Sequence, residues 1–143
     1  MKHQLRVGFR LIILFSLLLG MGMVPRDQGA LAQVTFDAQM NKQFTPNQIP
    51  AGGTSRLRII IFNPNSFPLT NASWTDNLVG VQPGIFLDTP VSPITTCGGS
   101  VTAAPGGTTV SLAGGTVPQQ TGGTPGSCYV EVSVSSITPG NLI

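Results

Sequence analysis

Histidine is nearly missing from this chain, and charge, long apolar runs and helical periodicity are scarce. Of 143 residues one is a histidine, His3. With no imidazole beyond it, a Ser-His-Asp or Cys-His site has no base, and zinc loses a principal nitrogen ligand. From Gln33 onward the bases are Lys42, Arg56 and Arg58, and the acids are Asp37, Asp76, Asp88 and Glu131. Three scattered bases do not neutralise a row of phosphates, so nucleic acid is excluded as a partner. No Asp-x-Asp-Gly loop offers calcium its clustered oxygens. Paired carboxylates for glycoside hydrolysis would have to come from the same four acids, and nothing in their spacing favours a pair. The Gly-Gly pairs precede no helix, so they read as turns and not as phosphate cradles. The expectation is a non-enzyme with no cofactor and no metal.

What is present begins with a leader. Lys2, Arg6 and Arg10 form a basic head. Leu11 to Val24 is an apolar run of 14 residues. At about 1.5 Å per residue it reaches roughly 21 Å, short of a bilayer core of about 30 Å. Pro25 ends it, and Ala30-Leu31-Ala32 supplies small residues ahead of Gln33. That order predicts a secretory signal over 1–32, cleaved between Ala32 and Gln33, with an uncleaved anchor as the rival reading. The rest, 33–143, is long enough for one domain. It contains no membrane-length apolar run, so no membrane span is expected there. The expected location is extracellular, cell-surface or periplasmic.

Cys97 and Cys128 are the only cysteines. In an exported chain an even pair reads as one disulfide, with two buried thiols as the alternative. Such a bridge closes a loop of about 30 residues, which the chain-entropy account values at roughly 3–4 kcal/mol.

Glycine and proline interrupt the mature part every few residues, which disfavours helices. Alternation is clear instead. Val34, Phe36, Ala38 and Met40 share one parity. In Thr54–Phe62, Leu57, Ile59 and Ile61 point one way and Arg56 and Arg58 the other. In Ser127–Ile137, Cys128, Val130, Val132 and Val134 oppose Tyr129, Glu131, Ser133 and Ser135. Shorter strands are expected at 72–78 around Trp74, 85–88, 100–103 and 108–112. Turns are expected at Pro50–Gly53, Asn63–Ser66, Pro83-Gly84, Cys97–Gly99, Pro105–Gly107, Ala113–Gly115, Pro125-Gly126 and Pro139-Gly140. Six to eight short strands predict an all-β, antiparallel β-sandwich. Trp74, Phe62, Phe86 and Leu112 are the expected packed centre.

Several pieces recur together: Phe44-Thr45-Pro46, Ile49-Pro50-Ala51-Gly52-Gly53-Thr54-Ser55-Arg56-Leu57, Asn63-Pro64 and Thr75-Asp76-Asn77-Leu78. Later come Cys97-Gly98-Gly99, Gly106 to Leu112, Gly114-Gly115 and Ser127-Cys128. In this order the chain resembles the Ig-like repeat domains of unknown function in large bacterial exported and cell-surface proteins, over about Asn41 to Ile143. The resemblance implies a sandwich module, often in tandem, that spaces or presents other parts, with envelope partners. It implies no activity. Such domains continue past the Ser-Cys strand into a final strand, whereas this sequence stops just past Asn141. The expectation is therefore an Ig-like sandwich lacking its last strand. The strand from Cys128 would then be an open edge prone to self-association.

Two residues stand out further. Lys42 is the only Lys after the leader, and the parity around Trp74 turns Asp76 inward. Some surface sandwiches join Lys and Asn by an amide bond beside a buried carboxyl, with burial lowering the Lys pKa and raising the acid's. Lys42 and Asp76 fit two of these roles; the Asn of the last strand would lie beyond Ile143 or be Asn141. The plainer reading is a solvated Lys and a turn Asp. Asp88 reads as a turn-capping carboxylate, and Asn71-Ala72-Ser73 as a chance match to the glycosylation pattern. Two functions remain, a structural or presenting module, or a glycan- or protein-binding module using loops or an open edge. Trp74 and Tyr129 exposed on one face would favour binding; a buried Trp74 would favour structure.

Overall fold

A computed structural model describes residues 34–80 and 83–142. The expected leader and its cleavage site at Ala32 and Gln33 lie outside the described residues. Ten strands follow one another: β1 (Gln39–Thr45), β2 (Gln48–Ile49), β3 (Thr54–Asn63), β4 (Leu69–Asn77), β5 (Ile85–Leu87), β6 (Ile94–Thr95), β7 (Ser100–Ala103), β8 (Thr109–Val117), β9 (Gly126–Ser136) and β10 (Gly140–Asn141). A single 3-10 turn, Leu78–Gly80, follows β4. Every strand pairing is antiparallel. The fold is all-β, as expected.

The first sheet has the order β1-β3-β9-β5, with β6 beside β5 along the same side of β9. The second has the order β4-β8-β7, and β2 and β10 form a small ribbon. Strict alternation makes the packing. Leu57, Ile59 and Ile61 of β3 and Val130, Val132 and Val134 of β9 turn inward and are buried. Val110, Leu112 and Val117 of β8 belong to the same core, and Phe44 of β1 joins it. Burying each such side chain stabilises the fold by roughly 1.5–3 kcal/mol before entropy is counted.

Three expectations need correction. Phe62 and Phe86 are half-buried and lie outside the core, opposite Ser127 and Ser135 of β9. In runs such as Ile-Ile-Ile-Phe and Ile-Phe-Leu every residue is apolar, so parity is hidden from the sequence. Their aliphatic neighbours Ile61, Ile85 and Leu87 take the inner positions. Trp74 packs against the core from β4 but is only partly buried. Ala113–Gly115 is no turn: it lies within β8, beside irregular β4–β8 register at Ala72.

The third correction concerns the expected open edge. β9 is paired on both sides, by β3 from Gly126 to Ser135 and by β5 and β6 along the other flank. The covering strands are three and two residues long and separated by Pro90 and Pro93, so their pairing leaves no mark in the sequence. The outer strands of the two sheets are instead β1, β5/β6, β4 and β7.

A buried Asn pair fixes the entry to β1. Asn63, fully buried, donates from Nδ2 to the carbonyls of Phe67 (2.8 Å) and Pro118 (3.0 Å). Its Oδ1 accepts from the Asn65 backbone N–H (2.9 Å) and from Asn65 Nδ2 (2.8 Å). Asn65 in turn holds Phe36: its Oδ1 accepts from the Phe36 N–H (2.7 Å) and its Nδ2 donates to the Phe36 carbonyl (2.8 Å). Paired amides of this kind satisfy polar groups that would otherwise destabilise the interior.

Candidate functional site

Arg56 and Arg58 reach the outer face of the first sheet because Ser55, Leu57 and Ile59 turn inward between and around them. Tyr129, Glu131 and Ser133 of β9 share that face. The register sets Arg58 opposite Glu131, Arg56 opposite Ser133 and Ile60 opposite Tyr129. Arg56 donates from Nε to Glu131 Oε1 (2.8 Å), with Nη2 at 2.6 Å from the same oxygen. Arg58 meets Oε2 in the same way, at 2.8 and 2.6 Å. Arg56 Nη1 also donates to Ser133 Oγ (3.2 Å). The Arg58 guanidinium lies 4.4 Å from the Tyr129 ring centroid, a cation–π contact. Gln43 and Thr45 of β1 border the depression above this group.

Burial is the largest single influence on the Glu131 carboxyl and pushes its pKa up. The hydrogen bonds and charges of Arg58 and Arg56 together outweigh it, so the pKa lies below the ordinary value. A charged carboxylate with both oxygens engaged is a structural anion. It has no free lone pair aimed at a substrate and does not serve as a general acid or base near neutrality.

Lys42 and Asp76 do meet, at the open side of the sandwich. Lys42 lies opposite Ile59 and Asp76 opposite Val110, both inner positions. One sits on the outer strand of each sheet, and Nζ is 2.6 Å from Oδ1. The ion pair therefore bridges the two sheets. Asp76 Oδ2 and Trp74 Nε1 are buried with no hydrogen-bond partner. Asn141, one of the two alternatives for the third member of the amide-bond reading, is exposed and paired with Gln48.

The disulfide is present between Cys97 and Cys128, with Cα atoms 5.0 Å apart and an S–S distance of 2.10 Å. It ties the segment just after β6 to β9. The Thr96 N–H donates to the Tyr129 carbonyl (2.9 Å) and the Thr116 N–H to the Cys97 carbonyl (2.7 Å), so the bridge sits inside a hydrogen-bonded crossing.

Residues 39–143, from the first residue of β1 onward, match a family described as a domain of unknown function, DUF7933. The chain belongs to this family. No curated protein matches it, and no solved structure does. The family segment contains the arginine–glutamate group, the Lys42–Asp76 bridge and the disulfide, and leaves Val34–Ala38 ahead of it.

Trp74 and Tyr129, the two candidate sugar-stacking aromatics, lie on different sheets: Trp74 on the inner face of β4, Tyr129 on the outer face of β9. They form no common platform. Asp88 Oδ1 accepts from the Thr89 N–H (2.8 Å), as a turn acid does. Asn71 is exposed with φ of 58°, at the irregular stretch of β4. Among the described residues no group of three or more His, Cys, Asp or Glu could hold a metal ion, and no helix is long and apolar enough to cross a membrane. The sequence reading missed the Arg56–Glu131–Arg58 group. Its signal was the shared outward parity of those residues on the two longest strands. Placing those strands side by side would have revealed it.

Proposed function

We propose that this chain is a non-catalytic structural or presenting module of a bacterial exported or cell-surface protein, of the Ig-like repeat kind. The observation that carries this reading is where its cations go. Lys42, Arg56 and Arg58, all the bases after the leader, are each engaged in an ion pair within the fold. Charges that a binding or catalytic surface would present to a ligand are used here to hold strands and sheets together. The disulfide supports an oxidising compartment, and the leader-like sequence supports export. The glycan-binding alternative loses its best anchor because Trp74 and Tyr129 are apart.

The test is to express the full 143-residue chain in a bacterial host and follow three readouts. The expected result is recovery outside the cytoplasm, a closed Cys97–Cys128 bridge by mass spectrometry, and no saturable binding on a glycan array. Cytoplasmic retention with free thiols would defeat the export reading. Saturable glycan binding abolished by Tyr129→Ala would replace the structural reading with the binding one.

A further inference from the structure

The Lys42–Asp76 contact sets a primary amine against a carboxyl group in a largely enclosed place. The two side chains are 27% and 16% exposed. Each residue holds an inner position on the outer strand of its sheet, opposite Ile59 and Val110. Nζ lies 2.6 Å from Oδ1, and Cγ is one C–O bond further, so Cγ is at most about 3.8 Å from Nζ. Productive attack starts from about 3–3.5 Å, and groups held near that range react as if present at about 10⁵–10⁸ M. A small turn of the carboxyl group closes the remaining distance.

The surroundings favour that turn. Glu131 has both carboxylate oxygens engaged by arginines. Asp76 has one oxygen engaged, because Oδ2 is buried with no partner. Taking two charges out of water offsets most of their attraction unless the remaining lone pairs are satisfied. Here they are not, so the ion pair gains little by staying an ion pair. The carboxyl group is also tethered at one corner only, which leaves it free to present its face to Nζ. Condensation would remove both charges from the interior, and one carboxyl oxygen would leave as water.

We infer that Lys42 and Asp76 condense to an amide that joins β1 to β4 across the open side of the sandwich. A proton passes from Nζ to the carboxylate, giving a neutral amine and a carboxylic acid. The Nζ lone pair attacks Cγ, and the C=O electron pair moves onto oxygen. Nζ gives its second proton to the departing hydroxyl, the C–O bond breaks, and the carbonyl re-forms. One water leaves and an Nζ–Cγ amide remains, so an ammonium and a carboxylate become two neutral products. No oxidant, metal or co-reactant is consumed, and unlike the disulfide the bond does not depend on the compartment. Of the other acids, Glu131 is held by arginines, Asp88 caps its turn and Asp37 is exposed ahead of β1. The proton transfers therefore stay within the pair. The ion pair is the reactant, and closure is slow compared with folding.

The test uses the 143-residue chain, expressed in full, purified, and held folded at neutral pH for days. High-resolution intact mass spectrometry should show a species lighter by one water, present at purification or accumulating with time. After reduction and peptic digestion, fragmentation should place the loss in a branched peptide that contains both Lys42 and Asp76. In denaturant the closed species should carry a Lys42 that resists acetylation. Lys42→Arg keeps the ion pair but offers a guanidinium that stays charged and does not attack, so it should lose no water. Asp76→Ala should lose none either, and Lys42→Arg answers the question if Asp76→Ala fails to fold by circular dichroism. Guanidinium chloride added at the start should stop the reaction, because the effective molarity disappears with the fold. An unchanged mass throughout, with the fold intact, would overturn the proposal. So would equal water loss in Lys42→Arg, as from a succinimide, equal loss in the unfolded chain, or a branched peptide lacking either residue.

Discussion

Replacing Glu131 with Gln isolates what holds the outer face of the first sheet. The substitution keeps the side chain's size and removes its charge. Arg56 and Arg58, two residues apart on one face, then lose the carboxylate between them and repel each other. Breaking a fully buried ion pair costs about 3–5 kcal/mol, and an exposed one about 0–1. Glu131's side chain is 11% exposed, but those of Arg56 and Arg58 are 40% and 43% exposed. Solvent screening of the two guanidinium groups places the expected loss between these limits, at about 2 kcal/mol. For a domain of this size about 4 °C accompanies each kcal/mol, so Tm should fall by about 8 °C at pH 7. The pH dependence gives an independent check. The folded-state pKa of Glu131 lies below its ordinary value of 4.5. The folded protein thus binds this proton less tightly than the unfolded chain does. The stabilisation is complete above the unfolded pKa and is lost as pH falls through the folded one. The Tm gap between the native protein and Glu131→Gln should therefore be flat near neutrality and close below about pH 4. Calorimetric melts across that range read both quantities. A drop under about 2 °C at pH 7, or a gap that persists undiminished to about pH 2, would show that the arginine–glutamate group is not a stabilising unit.

Other outcomes follow from the same structure. Cys97→Ala with Cys128→Ala should lower the unfolding free energy by about 3–4 kcal/mol in urea titrations, as expected for a loop of this length. Trp74→Ala should cost about 2 kcal/mol, less than a fully buried indole, as measured by denaturant midpoint at constant m. Lys42→Met should cost about 1–2 kcal/mol because it strands the Asp76 carboxylate, while Lys42→Met with Asp76→Leu should recover most of that loss in a thermal double-mutant cycle. Gly126→Ala should prevent folding, visible as loss of native β signal in circular dichroism, because its Cβ would collide with the Pro118 carbonyl oxygen.

Legibility in the sequence followed contrast between neighbours. β3 and β9 alternate apolar with polar residues, and both were read nearly to their ends. The disulfide was legible because two cysteines admit one pairing. Asp76's inward parity was legible too, and it meets Lys42 as a buried carboxylate at a strand end must meet something. Where every residue is apolar, as around Phe62 and Phe86, parity is invisible, and both aromatics were placed wrongly. β5 was expected at 85–88 and lies at Ile85–Leu87, but its pairing with β9 was not read, and β6 was missed altogether. Strands of three and two residues take their place from the flank of β9 they cover, which is a long-range property. The Arg56–Glu131–Arg58 group failed for the same reason: each residue was assigned its correct face, but the register joining them spans 73 and 75 positions.

The bridge at Cys97 has a mechanical consequence. It closes just where the chain leaves the first sheet, after β6, and enters the second through β7 and β8. Its two ends are 31 positions apart in sequence. A chain drawn out by force applied before β1 and beyond β10 would bypass that loop while the bridge is oxidised. At about 3.3–3.6 Å per extended residue, roughly 100 Å of contour would stay hidden. Tension would pass directly from β6 into β9 through the sulfur atoms, and β7 and the middle strand β8 would be spared the load. Reduction would release that hidden length in a second step, so the redox state of one bond sets how far the domain yields when pulled.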